Sequence, residues 1–127
     1  LGDFIDGSFA ARQADVEPLR DLTARDGVWA IPGNHEYFFD VETWMRHFAG
    51  MGMHILANAH AVVTRGGDAL VLAGVTDRSA PAIGHPGPDL DGALASQTPD
   101  GGHGVILAGM DAAGLSALLD HQLLLVA

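Results

Sequence analysis

The chain has 127 residues, 48% apolar and 17% charged, with a formal net charge of −10 and no cysteine. That length suits one domain with a modest core. The missing thiols exclude disulfides, thiolate metal sites and cysteine nucleophiles, and the acidic balance disfavours nucleic acid and anionic head groups as general partners while attracting cations.

The first loop is Gly2-Asp3-Phe4-Ile5-Asp6-Gly7, expected to follow a strand that ends near Leu1. Residues 8–15 read as a polar connection. Residues 16–25 have helical spacing, with Val16, Leu19 and Leu22 on one face and Pro18 tolerated in the first turn, before Asp26-Gly27 ends the helix. Residues 28–31 read as a short buried strand closed by Pro32-Gly33, and the second loop, 32–36, carries Gly33-Asn34-His35-Glu36. Asp40 is placed to cap a second helix, 41–51, with Trp44, Met45 and Phe48 facing inward. Strands are expected at 54–56, 61–65 and 69–73, the last two joined as a hairpin by Gly66-Gly67-Asp68. Residues 76–88 form a loop rich in Pro and Gly. A short helix over 89–95, a strand over 105–108, a helix over 112–119 and a last strand over 123–126 complete the chain. Trp29 and Trp44 are core candidates, Met51 and Met53 gap-fillers, and His85 and His103 exposed loop residues.

Strand–helix–strand alternation in the first half predicts parallel pairing, and the hairpin adds an antiparallel portion. The class is α/β, a layered sandwich with a mixed sheet. In such sheets ligands gather at the carboxyl ends of strands, where both loops fall.

Asp3 carries a carboxylate able to bridge two divalent ions, and Asp6 is placed to brace its loop through backbone N–H groups. Asn34 offers a neutral, hard oxygen suited to Mg, Mn, Fe or Zn. An imidazole such as His35 can protonate a departing alkoxide or stabilise phosphoryl charge. Glu36 can orient a neighbour by hydrogen bonding. Each of these residues is also met in ordinary loops and turns, and neither loop alone is decisive.

Taken together, Gly-Asp-x-x-Asp-Gly, a helix, a strand and Gly-Asn-His-Glu resemble the calcineurin-like metallophosphoesterase superfamily. The stretch from Gly2 through Ala59 is similar to its bacterial, membrane-associated branch, through the Asp-Gly linker, the Pro-Leu-x-x-Leu helix and Asn34-His35-Glu36-Tyr37. Leu72-Ala73-Gly74-Val75-Thr76-Asp77 matches the family's strand and turn after the hairpin. The resemblance implies hydrolysis of a phosphomonoester or phosphodiester, from a small-molecule or lipid substrate, at two divalent metal ions (Mn, Fe, Zn or Mg). It implies Asp3 as the bridging ligand, Asn34 as a ligand of the second ion and His35 as the catalytic histidine. It also implies membrane association through a region N-terminal to Leu1.

The family pattern further requires an Asp-x-His strand before Gly2 and, downstream, a single His and a Gly-His-x-His loop. The expectation is therefore a single partial domain over 1–127 without those two motifs. His121 is the candidate for a displaced ligand. The alternatives are a truncated or diverged relative with a structural or binding role, and an unrelated α/β binding domain. An Asp-x-His just upstream of Leu1 would favour the enzyme.

Overall fold

The computed structural model describes residues 2–95 together with strands at 104–108 and 124–125. The expected helix 112–119, His103 and His121 lie outside the described residues.

The apolar spacing of the N-terminal third is used differently from a long helix. Residues 8–15 contain a helical turn, α1 (Phe9–Arg12), whose Phe9 ring packs edge-on against Trp44 at 5.1 Å. The expected helix over 16–25 contracts to a 3₁₀ turn, Glu17–Asp21, with Pro18 in its opening. Val16 and Leu19, three positions apart, are packed by that tighter turn, whereas Leu22 adopts extended backbone and stays 51% exposed.

Strand β1 (Val28–Ala30) pairs in parallel with β2 (Met53–Ile55), Val28 opposite Met53 and Ala30 opposite Ile55. Between them run two helices. The first, α2 (Asn34–Phe38), occupies the second loop of the sequence analysis: Gly33 caps it and the rest of the tetrapeptide is helical. The second, α3 (Val41–Gly50), is capped by Asp40, whose carboxylate accepts from the Thr43 amide at 3.2 Å and the Thr43 hydroxyl at 2.8 Å. These two bonds hold the Asp40 carboxyl below its ordinary pKa.

The second sheet is mixed, in the order β3-β4-β5-β6. Strands β3 (Ala59–Arg65) and β4 (Asp68–Gly74) are antiparallel, closed by Gly66 and Gly67 at φ +60° and +94°, the pair of positive dihedrals a two-residue hairpin turn demands. Strand β5 (Gly104–Ala108) runs parallel to β4, and β6 (Leu124–Leu125) parallel to β5. A 3₁₀ turn, Ala80–Ile83, and a short helix, α4 (Leu90–Ala93), lie between β4 and β5. The class is α/β with parallel and antiparallel strands, as the alternation predicts.

The largest core cluster contains Ile5, Val16, Ala30, Trp44, Phe48, Met51 and Met53. Trp44 and Phe48 are fully buried and stack at 5.7 Å. Phe4 joins them, its ring 5.1 Å from Phe48, so the first loop is tied to the core that carries β1 and α3. A second cluster, Ile31 with Leu56, is packed by Trp29, Ala61 and Leu72 and joins the two sheets. Trp29 is half-buried rather than central; His54 stacks on it at 4.5 Å. His85 is half-buried too, its ring 5.6 Å from that of Tyr37.

Candidate functional site

The first loop alternates by burial. Phe4 and Ile5 turn inward, Ile5 to 5% exposure, and Asp3 and Asp6 turn outward. The second segment leaves the carboxyl end of β1 through buried Ile31 and Pro32, and Gly33 then starts α2. The two segments touch backbone to backbone. A Cβ on Gly33 would lie 2.5 Å from the Asp3 nitrogen, and one on Gly2 would lie 2.6 Å from the Gly33 nitrogen. Only glycine permits this approach from both sides.

Glu36 fastens the contact. Its carboxylate is fully buried and accepts three backbone N–H bonds: from Gly33 at 2.7 Å, Asp3 at 2.8 Å and Phe4 at 2.7 Å. A buried carboxylate costs free energy unless its oxygens are satisfied, and short charge-assisted bonds from amides supply that satisfaction without a cation. The Gly33 bond also covers a free N–H at the start of α2, as Glu at the third helical position characteristically does. Asp3 adopts φ +56°, a left-handed conformation that Asp tolerates better than most residues. Glu36 fixes the amides of residues 3 and 4, holding that turn in place.

In consequence Asp3 and the Asn34–His35 pair lie together. Asp3 Oδ1 accepts from the His35 amide at 3.1 Å. The His35 ring returns to the first loop: Nδ1 is 3.1 Å from the Ile5 carbonyl oxygen and 3.4 Å from Asp6 Oδ1. A carbonyl only accepts, so Nδ1 carries the proton. The neutral ring then presents an unprotonated Nε2, and the imidazolium presents an acidic N–H there. The ring is 38% exposed and lies 6.3 Å from the Phe38 ring.

Asp6 departs from its expected role. Among the described residues its carboxylate braces no backbone N–H of its own loop; it faces His35, and its carbonyl accepts from Arg12 Nε at 3.4 Å. The reason is geometric: Glu36 already takes the amides of residues 3 and 4. The tie across 33 positions from Glu36 to Asp3 is what sequence reading missed, although Glu three residues after the helix-opening Gly33 was its signal.

Asp3 and the half-buried Asn34 supply hard oxygen donors, and the Asn34 carboxamide has no hydrogen bond among the described residues. Such donors suit a divalent cation in kind. In number they fall short of the four to six or so that such ions take. Among the described residues no three His, Asp or Glu side chains come together as a metal site. Likewise, among the described residues no helix is long and apolar enough to cross a membrane.

Neither a family model nor a solved structure matches the chain. Curated proteins do. It is 35% identical over 95 residues to a zebrafish (Danio rerio) "transmembrane protein with metallophosphoesterase domain", a match covering 72% of this chain and 22% of that protein. The bovine (Bos taurus) protein of that description is 33% identical over 110 residues, covering 79% and 24%. An "uncharacterized metallophosphoesterase" of Helicobacter pylori is 33% identical over 93 residues, covering 73% and 24%. The chain thus spans less than a quarter of the length of these relatives. A metallophosphoesterase, by its family, works with divalent metal. Over the region it shares with these relatives, the chain belongs to the calcineurin-like metallophosphoesterase superfamily.

Proposed function

We propose that this chain contributes the Asp3, Asn34 and His35 portion of a phosphoesterase site that works with two divalent metal ions on a small-molecule or lipid phosphate ester. The observation that carries the reading is the Glu36 fastening, which brings a carboxylate, a carboxamide and an imidazole from distant positions to one end of β1. Asp3 and Asn34 would contribute ligands, and the metal would supply Lewis-acid activation of the phosphoryl group. His35 is held through Nδ1, so Nε2 is the atom that would pass a proton to a departing alkoxide when the ring is the imidazolium. Attachment to a membrane would come from other parts of the protein.

The test is hydrolysis of a chromogenic phosphodiester with Mn²⁺ by the protein containing this chain and by its His35→Ala variant. A positioned acid contributes about 10²–10⁴-fold, so His35→Ala is expected to lose roughly a hundredfold or more in kcat. Equal rates would remove His35 from the chemistry. A second reading, a diverged relative with a binding or structural role, is supported by the short donor set of the described residues. It predicts no hydrolysis by either protein.

A further inference from the structure

One side chain closes the segment 76–89 at its base. Asn58, at φ +51°, accepts through Oδ1 from the Thr76 amide at 3.1 Å and the Asp89 amide at 3.0 Å, and donates through Nδ2 to the Gly87 carbonyl at 2.8 Å. The two ends of the segment therefore meet on a single carboxamide. Asn is among the few side chains that tolerate the left-handed backbone and also offer both an acceptor and a donor.

Between those ends, the segment packs against α2 at Tyr37. Tyr37 is 6% exposed and clusters with Val41 and the fully buried Ala80. Its ring lies 5.6 Å from that of His85, so two residues of the segment, Ala80 and His85, pack against it. Tyr37 directly follows Glu36. The helix α2 is only five residues long, too short to hold its shape unaided. Its pose is set by what grips it: Glu36 on the side of the first loop, and Tyr37 on the side of the bracket that Asn58 closes.

We infer that Asn58 is a positioning residue for the site, fixing through segment 76–89 and Tyr37 the helix that carries Asn34 and His35. Its catalytic consequence rests on the proposed phosphoesterase reading; the positioning itself is readable without turnover. The experiment compares the 127-residue chain with Asn58→Ala and Asn58→Asp by NMR. It follows the imidazole ¹⁵N shifts of His35, which report the Nδ1–H tautomer, and amide exchange at Asp3, Phe4 and Gly33. Asn58→Ala is expected to move His35 away from that tautomer and to speed exchange at the three amides at least tenfold. Asn58→Asp, which keeps both acceptor bonds, restores most of each. Shifts confined to 76–89, with His35 and the three amides unchanged, would overturn the inference.

If Asn58→Ala does not fold, His85→Ala, which removes the half-buried ring packed against Tyr37, decides by the same signals. Where the parent protein hydrolyses a phosphodiester, Asn58→Ala should lower kcat about tenfold with KM within twofold, and unchanged kcat counts against it. A parent without activity defeats the phosphoesterase reading alone, and the NMR comparison still decides this one.

Discussion

Glu36 shows how one side chain can be chosen by the backbone around it. Its two oxygens serve three amides. Glutamine in its place keeps one acceptor and aims an NH₂ group at N–H donors. The Glu36→Gln variant is expected to lose about 2–4 kcal/mol, the cost of unsatisfied buried donors once bonded to a charge, measured by urea unfolding. A loss under about 0.5 kcal/mol would show that the amides find other partners. Gly33→Ala attacks the same contact sterically, since its Cβ would meet the Asp3 nitrogen at 2.5 Å. Neither backbone can yield without moving a strand end, and overpacking of this kind costs about 1–3 kcal/mol. Unfolding midpoints unchanged from the parent would deny the close approach.

At the scale of elements, the residues that point inward explain what was legible and what was not. Helix α3 was read to within a residue because Asp40, Trp44 and Phe48 combine a cap with a helical apolar face. The hairpin was equally plain, because Gly66-Gly67 fits few other turns. Helix α2 was missed because Pro32-Gly33 signals a stop, and five residues cannot show a period. The first long helix was overcalled because Val16, Leu19 and Leu22 suit a helix on paper while only the first two find a core. Candidates at the site, Asp3, Asn34 and His35, were named from the sequence, and their juxtaposition required the Glu36 tie between loops that are distant in the chain.

Tyr37 gives this level a pH test. Burial raises its pKa, the Thr76 hydrogen bond lowers it in part, and the Asp77 charge raises it further. In the unfolded chain a phenol ionises near the ordinary value of about 10. Above that pH the unfolded state sheds a proton that the folded state keeps, so stability is complete below pH 10 or so and falls as pH rises through the folded value. The chain has one tyrosine, no lysine and no cysteine, so no other side chain titrates in that window. Urea unfolding at pH 9 and pH 11 should therefore show an alkaline loss that Tyr37→Phe abolishes. An equal loss in both proteins would place its source elsewhere.

At the largest scale, the two sheets of the described residues meet at Ile31 and Leu56, and the candidate site sits at the carboxyl end of β1 within the smaller one. The net charge of −10 draws cations to the surface without concentrating them. Metal titration of this chain is accordingly expected to give weak binding. Stoichiometric uptake of two ions at submicromolar affinity would mean that this chain holds more donors than the proposed pair, Asp3 and Asn34.

The fastening has a further meaning for which side chains of the site can change. Because Glu36 grips main-chain atoms, its bonds ask nothing of the side chains at positions 34 and 35. Position 3 is more constrained, since its left-handed backbone suits Asp and its carboxylate receives the His35 amide. Exchanging the carboxamide and the imidazole would leave the backbone junction standing, whereas exchanging Asp3 would loosen it.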